Sequence, residues 1–405
     1  MEDIVLYEDK RYCCGCGACK NVCPKHAIHM KEDEYGFVYP EIDNDLCVKC
    51  GMCKKVCGYQ NTPEFNKVKK VYAVASKDEE TLKKSASGGA FAEYAKSVLN
   101  NNGVVYGATM LNENGEFNPK HIRITRVSEI EKIQGSKYVQ SSIEDIFELL
   151  QKDLDNGVEV LFSGTPCQIA AIKTFLKKEY ANLFLVEIIC HGVPSKRFFN
   201  DYIKNLEKKR DKKVAKYWFR DKSKGQDMTT RIMFNNGEEY IANGNIMSYT
   251  GLFLKSLTYR INCYTCPFAK NDRIADITIG DYWGFHEEYP EYNQKNGLTN
   301  LAGVSCVLVN TDKGAELNDR IRNKFIILES EFKKVERHNE QLYRPSKYSE
   351  NREKVLEGYK KEGYAFVEKF FYKHYKKSII KSTISSFISK GTKQKIKKII
   401  GKLKR

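Results

Sequence analysis

No apolar run approaches the ~20 residues that a bilayer-spanning helix needs, which excludes an integral helical membrane protein. The opening Met1-Glu2-Asp3-Ile4 lacks the basic region and apolar stretch of a secretory signal, so a cytoplasmic location is expected. The dinucleotide fingerprint G-x-G-x-x-G is missing, and with it any support for a nicotinamide cofactor in a Rossmann pocket. Acidic residues are absent from the last 33 positions, Lys373 to Arg405, which hold eleven Lys and one Arg. Most of the formal net charge of +16 therefore belongs to a tail. What is present suffices for a core. The 405 residues are 41% apolar and 12% aromatic, far from the composition of a disordered chain.

Nine of the fourteen cysteines fall within the first 57 residues, and their spacing decides their chemistry. Cys13, Cys16, Cys19 and Cys23, followed by Pro24, spell C-x2-C-x2-C-x3-C-P. Cys47, Cys50, Cys53 and Cys57 repeat the run 34 residues later, with Gly58 where proline would stand. In a chain expected to stay inside a cell, such runs point to metal rather than disulfides. Zinc is the alternative metal, but zinc sites usually pair two Cys-x-x-Cys arms or include His. The duplicated run resembles the bacterial two-cluster ferredoxins over about residues 8–60. That resemblance implies two [4Fe–4S] clusters in which each fourth cysteine crosses to the other cluster. One set would be Cys13, Cys16, Cys19 with Cys57; the other would be Cys47, Cys50, Cys53 with Cys23. Cys14 is expected to be a spare thiol, and His26 and His29 to lie on the surface.

Residues 60–70 read as a polar linker, after which strands and helices alternate. Strands are predicted over 71–76, 104–109, 158–162 and 183–189, with helices over 90–100, 143–156, 166–180, 195–208 and 246–259. A hairpin is predicted at 229–241, turning at Asn235-Asn236-Gly237, with extended segments at 276–279 and 304–309. The expected organisation is a multidomain α+β or α/β protein: a two-cluster ferredoxin domain over 1–62, a mixed α/β flavin and iron–sulfur domain over 66–335, and a basic helical extension over 336–405.

Four further cysteines sit at element ends. Cys167 follows Thr165-Pro166 in the first turn of a predicted helix, where the helix N-terminus favours a thiolate. Cys190 ends an apolar strand before His191-Gly192-Val193-Pro194, and Cys263 and Cys266 form a tight pair. Taken alone, these residues are equally open to the reading of two buried cysteines and a stray pair. The words around them narrow the choice. Ser163-Gly-Thr-Pro-Cys-Gln-Ile169, Cys190-His-Gly-Val-Pro194, Cys263-x-x-Cys266 and Ala275-Asp-Ile-Thr-Ile-Gly-Asp281 occur in that order. Together they resemble the family of coenzyme F-420 hydrogenase/dehydrogenase beta subunits, over about residues 8–310 with the ferredoxin segment included. The resemblance implies FAD and a third [4Fe–4S] cluster on Cys167, Cys190, Cys263 and Cys266, with Asp281 nearby as a structural hydrogen-bond partner. It also implies that Ser87, Gly88 and Gly89 lead a helix N-terminus towards the flavin pyrophosphate. Gly135, Ser136, Lys137, Tyr138, Gln140 and Ser141 would form a second flavin-binding segment.

The chemistry implied is conversion between one-electron clusters and a two-electron flavin. The partners would be a one-electron donor or acceptor protein such as ferredoxin and an organic hydride donor or acceptor. The leading expectation is a flavoprotein reductase, with a role in cell-surface polysaccharide biosynthesis. The alternatives are a true coenzyme F-420 reductase/dehydrogenase subunit and a non-enzymatic electron-transfer subunit of a larger complex. No catalytic acid or base is nominated. In the tail, Ile379, Ile380, Thr383, Ile384, Phe387 and Ile388, then Ile396, Ile399, Ile400 and Leu403, recur at helical spacing among lysines. This pattern suits an amphipathic helix lying on an anionic membrane surface, with nucleic acid not expected as a partner.

Overall fold

The computed structural model describes residues 4–224, 227–292, 297–299 and 303–387. Its strands are β1 (Ile28–Glu32), β2 (Val38–Ile42), β3 (Lys70–Ser76), β4 (Val104–Glu113), β5 (Glu116–Ile124), β6 (Val160–Gly164), β7 (Leu183–Ile188), β8 (Val214–Trp218), β9 (Thr229–Phe234), β10 (Glu239–Asn243), β11 (Ile277–Asp281), β12 (Ser305–Val309) and β13 (Phe325–Ser330). Eight of them form one sheet in the order β13-β3-β12-β11-β7-β6-β4-β5. The central strands β11, β7, β6 and β4 are parallel, and the flanking strands pair antiparallel.

Both faces of this sheet are covered, which is why its central strands read as continuous apolar runs. Val160 and Phe162 of β6 and Leu183 and Leu185 of β7 face the helices Phe147–Asp155 and Pro166–Leu176. Their neighbours Leu161, Phe184 and Val186 face the helices Ala90–Asn100 and Asp312–Arg320. A second, three-stranded sheet, β10-β9-β8, shares a core with the helices Lys196–Arg210 and Ser248–Leu254. Residues from 336 onward are helical over Glu350–Glu362, Tyr364–His374 and Lys376–Phe387. They add Leu356, Tyr359, Val367 and Phe371 to that same core, so this segment packs against the rest of the chain. Residues 388–405, which carry most of the expected membrane-surface helix, lie outside the described residues.

Several elements differ from expectation. The strand β5 has no counterpart among the predicted elements; it returns from β4 through Asn114 and Gly115, both at positive φ, as a two-residue hairpin turn requires. The helix expected over 246–259 stops at Leu254, and Ser256 at φ 57 turns the chain away. The helix from Pro166 ends at Leu176, with Lys177 in the left-handed conformation.

The N-terminal repeat folds twice into the same local form. Gly17 at φ 80 caps the single turn Ala18–Asn21, and Gly51 at φ 73 caps Met52–Lys55. The two copies then diverge in what they touch. A Cβ on Gly15 would lie 2.6 Å from the Val38 carbonyl, whereas its repeat-mate Lys49 carries a side chain at φ 54. A Cβ on Gly17 would meet Glu144 at 2.5 Å, whereas one on Gly51 would meet nothing within 4 Å. Pro24 is exposed, whereas a Cβ on Gly58 would lie 2.5 Å from the Ala170 carbonyl. The break in the repeat at Gly58 is thus a close approach of the ferredoxin-like segment to the helix Pro166–Leu176. Thr174 Oγ1 donates to the Val56 carbonyl across the same contact, at 2.8 Å.

Candidate functional site

A cavity of about 500 Å³ opens at the C-terminal ends of β6, β7 and β11, where open parallel sheets place their ligands. Gly164, Ile188 and Asp281, the last residues of those strands, all line it. The loop after each strand contributes chemistry. Beyond β6, Thr165 and Gln168 form a capping box and start the helix that carries Cys167. Beyond β7 comes Cys190, and the short turn Ile261–Thr265 brings Cys263 and Cys266 to the same wall.

These four cysteines act on one another electrostatically: Cys190 feels Cys263, Cys167 and Cys266. Burial pushes the Cys263 thiol up to about 12 and Cys266 higher still. Thiols so enclosed ionise only when a metal takes the place of the proton, so the donor set fits an iron–sulfur cluster. In the N-terminal segment, Cys19 feels Cys16, Cys13 and Cys57, the grouping expected for the first cluster. Cys53 feels Cys47 and Cys50, and it shares a small apolar group with Cys23, Leu6 and Ile28. Cys50 is exposed, so the second set reaches the surface. Among the described residues no three Cys, His, Asp or Glu side chains close round a single ion.

Cys14, expected to be a spare thiol outside the cysteine sets, sits where two of those sets meet. It is buried, and it packs with Cys16 and Cys167 in one core cluster at the cavity wall. Its nearness to those two sulfurs and its burial hold Cys14 well above the usual thiol range, and the same neighbourhood lowers Cys167. The first cysteine set and the third thus meet through this one side chain. Further bonds hold the junction: Gln140 Nε2 donates to the Cys14 carbonyl at 2.9 Å, and Tyr59 Oη donates to the Asn262 carbonyl at 3.0 Å.

Of the residues expected to hold flavin, Ser87, Gly89, Gly135, Ser136, Lys137, Tyr138, Gln140 and Ser141 line the cavity. Gly88 does not. Its N–H donates to Ser305 Oγ at 2.8 Å, and a Cβ there would lie 2.1 Å from the Val74 carbonyl. Gly88 therefore serves the contact with the sheet and has no N–H left for a pyrophosphate. Gly89, at φ 85, caps the helix Ala90–Asn100 and turns its N-terminus to the cavity. Lys137 Nζ donates to the Gln134 carbonyl at 2.9 Å, and burial lowers its pKa to about 7. A helix N-terminus and a cation that pairs with no carboxylate among the described residues suit a phosphate-bearing ligand. Asp281 binds Arg220 through both carboxylate oxygens, each at 3.1 Å, and Arg220 lies over the Trp283 ring. His191 lines the cavity, and burial lowers its pKa. Sequence reasoning missed Cys14, Arg220 and the buried Arg260. Only the first had a local signal, its adjacency to Cys13.

Residues 71–148 match the N-terminal family model of the coenzyme F420 hydrogenase/dehydrogenase beta subunit, and residues 157–334 match the model of its C terminus. Residues 12–61 match the 4Fe-4S dicluster domain. A curated relative, the F component of the F(420)H(2) dehydrogenase of Methanosarcina mazei, is 25% identical over 189 residues, covering 44% of this chain and 51% of the relative. The chain thus spans about half the length of that relative. Among solved structures, a chain of the F420-reducing [NiFe] hydrogenase complex from Methanosarcina barkeri aligns over 73% of this chain and 94% of its own, at 17% identity and a TM-score of 0.43. With both halves of one family matched in order behind a dicluster domain, the chain belongs to the family of coenzyme F420 hydrogenase/dehydrogenase beta subunits and carries an N-terminal [4Fe–4S] dicluster domain.

Proposed function

We propose that this chain is an iron–sulfur electron-transfer subunit that exchanges electrons between the deazaflavin coenzyme F420 and a one-electron protein partner. The family and the curated relative favour this reading over the expected role in polysaccharide assembly. The observation that carries it is the meeting of Cys16, Cys14 and Cys167 at the wall of one cavity. A dicluster domain docked there makes sense as a conduit leading into that cavity. Cys167, Cys190, Cys263 and Cys266 would hold a third cluster, and FAD would occupy the cavity beside Gly89 and Lys137. When bound, FAD would accept a hydride equivalent and release its electrons singly. The protein's own part is to position the ligand, exclude water and keep the outer cysteine set, with exposed Cys50, open to a partner.

Anaerobic purification followed by iron, sulfide and flavin assays should find about twelve irons per chain for three cubanes, with one FAD. The same preparation should oxidise reduced F420 when a one-electron acceptor dye is supplied. A preparation holding its full iron and flavin that leaves F420 untouched, alone or with dye, overturns the assignment of the coenzyme.

A further inference from the structure

Four arginines are buried among the described residues: Arg220, Arg260, Arg273 and Arg352. Three have a carboxylate: Arg220 pairs with Asp281, Arg273 with Glu187 and Arg352 with Glu353. Arg260 is fully buried, and no carboxylate pairs with it among the described residues. Its guanidinium donates to the Cys13 carbonyl from Nε at 3.0 Å and to the Val38 carbonyl from Nη2 at 2.9 Å. Nη2 also points at Cys13 Sγ, 3.9 Å away, and Nη1 reaches Gln140 Oε1 at 3.5 Å. The group lies over the Tyr39 ring, 3.9 Å from its centroid. All these partners are neutral unless Cys13 is ionised.

A buried cation without an anion is heavily penalised. Arg260 also lines the cavity, but two of its guanidinium nitrogens are turned to Cys13, which points to an anion held by the cysteines. A cubane on four thiolates is an anion, and its negative charge grows by one on reduction. We infer that Arg260 is the counter-ion of the first [4Fe–4S] cluster, stabilising its reduced form and setting its potential above that of the outer cluster. The chain's own layout supports the asymmetry. Arg260 comes from the large domain, three residues before Cys263, and enters the ferredoxin-like segment only at its inner cluster. Net charge and hydrogen bonds to sulfur are what tune such potentials. The surface set with Cys50 has no comparable buried cation among the described residues. Electrons exchanged between the cavity and the surface would then rest on the inner cluster in preference to the outer one.

This inference rests on the clusters of the proposed function, and its test separates the two. Arg260→Lys keeps the charge, and Arg260→Gln keeps hydrogen-bonding capacity without it. EPR-monitored redox titrations of both variants and the parent, under argon, read each cluster's midpoint. The Gln variant should show the first cluster shifted furthest to more negative potential, the third, whose Cys167 and Cys263 also feel Arg260, shifted less, and the outer cluster unmoved, and the Lys variant should lie closer to the parent. Loss of about four irons in the Gln variant alone, with retention in the Lys variant, supports the same conclusion through occupancy. Equal midpoints or equal iron loss in the two variants overturns it, leaving Arg260 a latch between domains. A parent protein devoid of iron overturns the proposed function instead.

Discussion

Lys137 offers a test of the cavity's ligand through protons alone. Its ammonium titrates near 7 in the folded chain against an ordinary value of 10.5, because burial disfavours the charged form. Between those values the unfolded chain keeps a proton that the folded chain has released, so stability rises with pH across the window: above it both states are neutral and the penalty is absent, and the penalty grows as the pH drops. Below about pH 7 both states are charged and the fold bears the whole desolvation penalty. At 1.36 kcal/mol per unit this is on the order of 5 kcal/mol, reduced by whatever water enters the cavity. An anion seated against Nζ reverses the shift by restoring the proton. FAD binding should therefore take up close to one proton above pH 7, and its affinity should fall up to about tenfold per pH unit there. Titration calorimetry of flavin-depleted protein in two buffers of different ionisation heat measures both quantities. Lys137→Met should bind FAD more weakly at about pH 6, without proton uptake, and should show a flat profile. Affinity independent of pH in the parent, or the same dependence in the variant, would refute the placement of the flavin phosphates beside Lys137.

Three other outcomes follow from contacts already described. Cys14→Ala should keep its full iron content while losing on the order of 1 kcal/mol of thermal stability from the small cavity created; loss of four irons would make Cys14 a ligand. Gly58→Pro, which restores the ferredoxin pattern, should cost about 1–3 kcal/mol by driving the ring into the Ala170 carbonyl. Limited proteolysis in the 60–70 linker should speed up, and unchanged cleavage would show that the domain contact tolerates proline. Asp281→Asn should destabilise the chain by about 3 kcal/mol in denaturant unfolding, because Arg220 is left buried without its anion; an unchanged midpoint would mean that Arg220 finds another partner.

Sequence periodicity reached the buried elements and stopped at the edges. β3, β6, β7 and β12 are enclosed on both faces, and their apolar runs announce them. The edge strand β5 contains Pro119 and alternates polar residues, so it lacks that signal, whereas β13 at the other edge carries the short run Phe325-Ile326-Ile327-Leu328, which the predicted strands omit. The helix begun at Ser248 ends at Leu254, and Ser256 at φ 57 turns the chain with no Gly or Pro between Leu252 and Tyr259 to announce the stop. At the site, eight of nine residues expected around the flavin line one cavity, since a short motif moves as a unit. Gly88 differs because its small size answers to β3 and Ser305, and the latter lies far from it in sequence. Cys14 and Arg260 matter through neighbours more than a hundred residues away, and no spacing rule reports such partners.

The divergence within the N-terminal repeat has a consequence for assembly. A duplicated module with near two-fold symmetry would, left unaltered, plug into its socket in either of two orientations. The paired positions have broken that equivalence: Gly17 and Gly58 are pressed against the large domain while Gly51 and Pro24 are not, and Gly15 lies against Arg260 where its repeat-mate is a lysine. Rotating the module by half a turn would bring Lys49 to the place where Gly15 lies against Arg260, and the Pro24 ring towards Ala170. The joint is keyed like a polarised connector. The same three positions that let the module seat also decide which terminal faces inward and which stays available to the outside.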